Sequence, residues 1–285
     1  MEASEPGFEH VFRSSRYREM AAALASGYAG AKPFPHAVID DFLPEPVASR
    51  ILAEFPSAAA PVWSRYDKSV YSKKLAVNTV EQVGPFIAGV LQELNGADCL
   101  AFLETLTSIQ GLIPDPYLEG GGLHQILRGG FLKIHADFNV HSRLRLDRRL
   151  NLLLYLNRDW REEHGGHLEL WNREMTRCEV RVLPAFNRAV IFNTTDWSFH
   201  GHPAPLRCPE GLSRKSMALY YYSRGRPEEE ASPSHSTLWQ LRPEEPGRSR
   251  VVSARWLRRL AQALDRLPRA LRRAAGSLDG VPPPT

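Results

Sequence analysis

Between Gly120 and Tyr222 the chain is written in short apolar or alternating runs, each of strand length and each closed by turn residues. The runs are Leu123 to Leu127, Gly130 to Ile134, Leu150 to Leu156, Gly166 to Trp171, Glu179 to Leu183, Ala189 to Phe192 and Ser216 to Tyr222. Gly129-Gly130, Asn157, Gly165-Gly166, Pro184 and Gly201 punctuate them. A helix needs apolar positions at three- and four-residue steps sustained over roughly ten residues, and these runs stop too soon. Many short strands at this spacing predict a sandwich or barrel.

The flanks read differently. Met20-Ala-Ala-Ala-Leu-Ala is the best part of a helix over the first thirty or so residues, ended by Pro33 and Pro35. Pro35 to Phe42 reads as a short strand. Helical spacing returns in Leu43 to Phe55 through Val47, Ile51, Leu52 and Phe55, and in Glu81 to Asn95 through Val83, Phe86, Ile87, Val90, Leu91 and Leu94. Pro-, Glu- and Ser-rich stretches follow Arg224 and read as linker. The expected organisation is therefore a helical and strand region (1–98) that supports a β core (99–225), then a linker (226–252) and a closing helix (253–285).

Charge is informative only at that end. Arg255, Arg258, Arg259, Arg266, Arg269, Arg272 and Arg273 face only Asp265 and Asp279, so the tail carries +5 against a net +4 for the chain and the body is nearly neutral. Leu257, Leu260, Leu264, Leu267 and Leu271 give the tail one apolar stripe, interrupted by Pro268. Such a basic amphipathic helix docks on the core or lies on an anionic membrane surface. No nucleic-acid fold signature accompanies it.

At 285 residues and 43% hydrophobic, the chain can bury a large core without disulfides. Its cysteines, Cys99, Cys178 and Cys208, are far apart, which excludes a disulfide scaffold and a Cys-rich zinc module. No apolar run approaches the roughly 20 residues that cross a bilayer. The start, Met1-Glu-Ala-Ser-Glu-Pro, lacks the features of a secretory signal, so a cytoplasmic location is expected.

The chemistry concentrates in Phe131-Leu-Lys-Ile-His135-Ala-Asp137. A His and an Asp two apart on a strand point to one face and can share an ion. His167-Leu-Glu169 has the same form. That second pair lies in a strand that continues Gly-Gly-x-Leu-x-Leu-Trp and reads as packing, whereas the first gains weight from a later strand Ala189 to Phe192 followed by Trp197-Ser-Phe-His200-Gly-His202. Two imidazoles and a carboxylate on one face of an iron ion leave its other positions open. His202 is the rival third ligand. Arg214, on a later strand, offers a planar fork for a carboxylate, whereas Lys215 points the other way.

This order resembles the prolyl 4-hydroxylase-like branch of the Fe(II)/2-oxoglutarate-dependent dioxygenases. Their pattern is His-x-Asp, a later His, then a basic residue followed six positions on by an aromatic. Here those are His135, Asp137, His200, Arg214 and Tyr220, supported by Arg149-Leu-Asn-Leu-Leu-Leu-Tyr155, Gly165-Gly-His-Leu-Glu-Leu-Trp171 and the upstream Pro33 to Leu43. The resemblance covers roughly residues 33 to 224. It implies a mainly β, α+β architecture: a double-stranded β-helix (a cupin-like jelly roll) with N-terminal helices and the C-terminal basic helix. It also implies Fe(II), 2-oxoglutarate and dioxygen, with ascorbate as a further reductant, and a hydroxylation that yields succinate and carbon dioxide.

In such relatives a Tyr three residues before the first ligand meets 2-oxoglutarate; this chain has Leu132 there. The cosubstrate contacts are therefore expected from Arg214, Tyr155 and Asn151. The apolar residues Phe131, Leu152, Leu154 and Phe192 are expected to line the site. Trp63, Tyr71, Lys74, Trp160 and Trp171 are candidate substrate contacts. His124 is expected in a structural role, with His124 or Gln125 facing the pocket as the alternative, and His141 at the surface. The resemblance favours a prolyl residue of a protein or peptide as substrate. A small metabolite and a non-catalytic jelly-roll scaffold are the alternatives.

Overall fold

The computed structural model describes residues 11–246. In chain order its elements are α1 (Ser15–Gly30), β1 (His36–Ile39), α2 (Glu45–Glu54), β2 (Ser64–Lys68), β3 (Tyr71–Val77), α3 (Pro85–Leu94), α4 (Ala97–Thr107) and β4 (Ile113–Pro114). There follow β5 (Gly122–Ala136), β6 (Asp147–Tyr155), β7 (Leu168–Trp171), β8 (Cys178–Val182), β9 (Arg188–Asn193), β10 (His200–His202), β11 (Ser213–Ser223) and β12 (Leu238–Trp239).

The helices start where the local chemistry allows it. Proline stands in the first turn of α2 and of α3, where its missing N–H costs nothing. Ser108, in the left-handed region, ends α4. That helix was not expected, because the spacing of Leu100, Phe102, Leu103 and Leu106 begins directly after Asn95-Gly96 and looks like a change of character. The expected boundary at 98/99 thus falls inside a helix. The β2–β3 hairpin also escaped the sequence, since every residue of β2 is exposed and carries no apolar alternation.

The strands form an antiparallel near-barrel in the order β1-β9-β6-β11-β5-β10-β7-β8. Leu123 to Leu127 and Gly130 to Ile134, expected as separate strands, are one strand, β5, of 15 residues. Its first half pairs with β11 and its second half with β10, so it passes from one layer to the other. The passage is at Gly129-Gly130. A Cβ on Gly130 would lie 2.7 Å from the Ser72 carbonyl oxygen, so glycine lets β3 run alongside. The glycines that read as a break are a bend without loss of pairing.

Alternation divides β6, β9 and β11 between two environments. Leu150, Leu152, Leu154, Ala189, Ile191, Met217, Leu219 and Tyr221 join the largest core cluster, with helix residues such as Val90, Phe102 and Leu103. At about 25 cal/mol per Å² of apolar area, burial of this face against the helices is the main stabilising term of the layer. The other face turns Asn151, Tyr155, Ser216 and Tyr220 into a cavity between the layers. Leu152 and Leu154 therefore belong to the helix side and do not line the site: in a strand, Asn151 and Tyr155 facing in force the residues at even positions out.

Residues 226–240, expected as linker, fold back instead. Asn139 donates to the Ser232 hydroxyl and the Pro233 carbonyl, and β12 pairs with the end of β5, Trp239 opposite His135. The expected tail helix (253–285) lies outside the described residues.

Candidate metal centre

β10 lies antiparallel to β5 with His200 directly opposite His135. Gly201 makes this approach possible, because a Cβ there would stand 2.7 Å from the Lys133 carbonyl oxygen and 2.9 Å from that of Leu132. His135 Nδ1 lies 2.8 Å from the Lys133 carbonyl oxygen, and His200 Nδ1 lies 2.9 Å from that of Ser198. A carbonyl only accepts, so both rings carry the proton on Nδ1 and keep the Nε2 lone pair free. Those Nε2 atoms stand 3.6 Å and 3.5 Å from the Asp137 carboxylate oxygens. The ligand atoms of all three residues lie within 4.8 Å of one another and can hold one metal ion.

Their surroundings fix the protonation states. Asn151 Nδ2 donates to Asp137 Oδ2 at 2.8 Å, and Arg148 Nη2 stands 3.0 Å from the same oxygen. Asn151 Oδ1 in turn accepts from Arg148 at 2.8 and 3.0 Å. Burial pushes the Asp137 carboxyl up, but Arg148 and the two imidazoles outweigh it and hold it well below the usual range. Burial, reinforced by His135, pushes the His200 imidazole down to about 4. At neutral pH the trio is thus a carboxylate and an unprotonated imidazole with Arg148 behind, which is the state a metal requires. Arg148 itself is 1% exposed and sits 3.5 Å from the centre of the Tyr220 ring, with Phe138 on its other flank.

The trio opens into a cavity of about 210 Å³. Arg214 lies at its buried end, donating through Nε to the Gly166 carbonyl at 2.8 Å and through Nη2 to the Tyr155 hydroxyl at 3.1 Å. Gly166 has φ of +73°, and a Cβ there would come within 3.1 Å of the Arg214 side chain and 2.5 Å of Leu206. Both ring nitrogens of His202 and Nε2 of His124 are buried beside this cavity without a hydrogen-bond partner. Burial pushes both imidazoles well below their ordinary range, so they are neutral. An orphaned buried polar atom costs about 1–3 kcal/mol, which a polar ligand would offset. Iron fits the donor set of two imidazoles and a carboxylate, and a dicarboxylic acid fits the cationic, under-satisfied end.

The structure brings His135, Asp137, His200, Arg214, Tyr155 and Asn151 to one cavity. Asn151 spends its amide on Asp137 and Arg148. His202 faces the Arg214 end of the cavity, and His167 pairs with Glu162 at 2.6 Å while Glu169 accepts from Trp171 Nε1. Of the candidate substrate contacts, Tyr71 and Lys74 line the cavity; Trp63 packs on Phe55, Trp160 on His164, and Trp171 lies in a separate cluster. Leu132 rather than Phe131 reaches the cavity, and Phe192 stacks on His200 at 4.7 Å. His124 lines the cavity with Nε2 unpartnered, while the Gly120 and Gly121 backbone hydrogen-bonds the same ring. His141 is fully buried rather than at the surface, held by Asp115 at 3.1 Å and by Glu119. Arg148 and Trp239 were missed. Arg148 stands beside Arg149 and shares parity with Leu150 and Leu152, yet the register shift between Tyr221 and Tyr222 comes between them and Arg148 lines the cavity, so alternation pointed to the wrong face; Trp239 gave no signal.

Residues 121–222 match the family model described as "2OG-Fe(II) oxygenase superfamily". A search of the curated proteins returns no match. Among solved structures, a prolyl-4-hydroxylase of Pseudomonas putida is 18% identical, covering 72% of this chain and 100% of its own, with a TM-score of 0.50. A prolyl hydroxylase from Trichoplax adhaerens, solved with a hypoxia inducible factor peptide fragment, is 16% identical over 76% of this chain and 94% of its own, TM-score 0.54. A prolyl 4-hydroxylase of Phytophthora capsici is 17% identical over 78% of this chain and 68% of its own, TM-score 0.50.

Proposed function

We propose that this chain, a 2OG-Fe(II) oxygenase by the core it carries over residues 121–222, hydroxylates a C–H bond on a substrate that enters past Tyr71 and Trp239. The first reading of that substrate is a prolyl residue of a protein or peptide. The order of the ligands and the fold shared with prolyl hydroxylases support it. The observation that carries the activity is that His135, Asp137 and His200 converge at one cavity whose other end is Arg214. A scaffold would have no use for two imidazoles held with their lone pairs facing one carboxylate.

His135, Asp137 and His200 would hold the iron, and Arg214 with Tyr155 would hold the far carboxylate of 2-oxoglutarate. Iron and 2-oxoglutarate, when bound, supply the oxidation with dioxygen, and succinate and carbon dioxide are released. The protein's own work is positional. The Lys133 and Ser198 carbonyls fix the imidazole tautomers, Asn151 and Arg148 fix the carboxylate rotamer, and Phe192 and Leu153 keep water from the metal face. No side-chain acid or base is needed for the C–H step.

A second reading, a small metabolite, is favoured by the enclosure: Thr237 and Trp239 from the returning segment wall a cavity of only about 210 Å³. Succinate release by the purified protein with Fe(II) and 2-oxoglutarate tests both. Prolyl peptides that accelerate release and gain one oxygen carry the first reading. Acceleration by free metabolites alone would replace it with the second.

A further inference from the structure

The cavity is lined by more positive than negative charge. Lys74, Arg148 and Arg214 face it, against the single carboxylate of Asp137. Arg148 is matched by Asp137 at 3.0 Å. Arg214 would hold the far carboxylate of 2-oxoglutarate, and His135, Asp137 and His200 would hold the iron. Lys74 is left over. Its ammonium makes no hydrogen bond or ion pair with any described residue.

Its place in the sheet is defined. Lys74 on β3 and Arg214 on β11 are both paired with Ile126 of β5, one on each side. Directly paired residues share a face, so both side chains point inward, with backbones about 10 Å apart across two strand spacings. They are not equivalent. Arg214, Tyr155, Leu168, His200 and His202 are buried, whereas Tyr71, Lys74, Phe138, Thr237 and Trp239 keep some exposure and mark the mouth. Burial pushes the Lys74 ammonium down to about 8; Asp137 opposes this, and Arg148 and Arg214 reinforce it. A cation so placed is costly until an anion joins it.

We propose that Lys74 anchors a carboxylate carried by the molecule that the enzyme hydroxylates. The assignment rests on the oxygenase reading and sharpens it: the substrate is an acid whose carboxylate lies at the mouth, with its reacting carbon between Lys74 and the metal. Tyr71, Tyr220 and Trp239 offer aromatic walls for its apolar part. A neutral isostere leaves the ammonium unmatched and is discriminated against.

The chain has only six lysines, so Lys74 can be observed singly: Lys32, Lys68, Lys73, Lys133 and Lys215 are the others. The full chain is loaded with zinc(II) as a non-turnover metal and saturating 2-oxoglutarate, and its lysines are reductively methylated with ¹³C-formaldehyde. The signal missing from Lys74→Met identifies Lys74. Acetate is then titrated as the probe, with acetamide as the neutral control. A saturable shift of the Lys74 signal alone, produced by acetate and absent with acetamide, is the expected result. No selective shift, or an equal response to acetamide, overturns the anchor. So does a Lys74→Met variant whose 2-oxoglutarate requirement rises as far as that of Arg214→Ala, because the ammonium would then belong to the cosubstrate. The iron(II) and 2-oxoglutarate charge-transfer absorption of the unmodified protein separates the two failures. If it never develops, the oxygenase reading falls; if it develops and Lys74 ignores acetate, only the anchor falls.

Discussion

Two backbone carbonyls, on Lys133 and Ser198, decide which imidazole nitrogens are available, and Arg148 decides that the nearby carboxyl is a carboxylate. At this scale the ligands were legible, because period-two geometry makes His-x-Asp a shared face and the later His and Arg follow in order. Arg148, His124 and His141 were not. What buries them is contact with residues distant in sequence: Tyr220 and Phe138 around Arg148, Asp115 on His141, and β3 and β11 beside His124. A charge-assisted hydrogen bond is worth about 1.5–3 kcal/mol, so Arg214→Ala should raise the 2-oxoglutarate concentration for half-maximal succinate release by roughly ten- to a hundredfold. Iron binding, measured by metal content after gel filtration, should be unchanged.

At the scale of elements, the site depends on how closely β10 can approach β5. Gly201 carries that approach, since any Cβ there overlaps the Lys133 and Leu132 carbonyls. Gly201→Ala should move His200 off its register with His135 and weaken metal binding by about tenfold or more, as overpacking typically costs about 1–3 kcal/mol. Equilibrium dialysis of iron(II) against the variant measures this; wild-type affinity would show that the strands tolerate the methyl group. Strand alternation was readable in β6, β9 and β11, where one face is apolar throughout. It was unreadable in β2, which is exposed on all sides, and in β12, whose two residues are defined only by the strand they join. The double glycine of β5 shows why punctuation misleads: glycine marks either a stop or a crossing, and only the Ser72 backbone running past it distinguishes them.

Over the whole molecule, the four helices α1 to α4 belong with one face of the larger layer and leave the other to the cavity. The mainly β architecture with helical flanks could be anticipated from period alone. The return of residues 226–240 across the metal centre could not, because its contacts are polar and scattered: Asn139 with Ser232, His235 with Asp196, and Trp239 beside His135. Burial in the folded chain keeps His124, His200 and His202 neutral, with folded pKa values below the unfolded value near 6.5. The unfolded chain therefore binds more protons on these groups as pH falls below about 6.5, and the folded state loses stability progressively from there toward pH 4. Thermal melting of the metal-free protein should show its Tm falling across that window; a flat Tm would mean that the imidazoles are solvated.

His135, Asp137 and His200 converge where one ion could be held, facing the Arg214 end of the cavity. Anaerobic titration of the purified chain with iron(II) and then 2-oxoglutarate measures it most directly. A metal-to-ligand charge-transfer absorption should develop with saturation at one iron per chain and should be absent in His135→Ala. Iron retained without that absorption on adding 2-oxoglutarate, or absorption undiminished in His135→Ala, would contradict it.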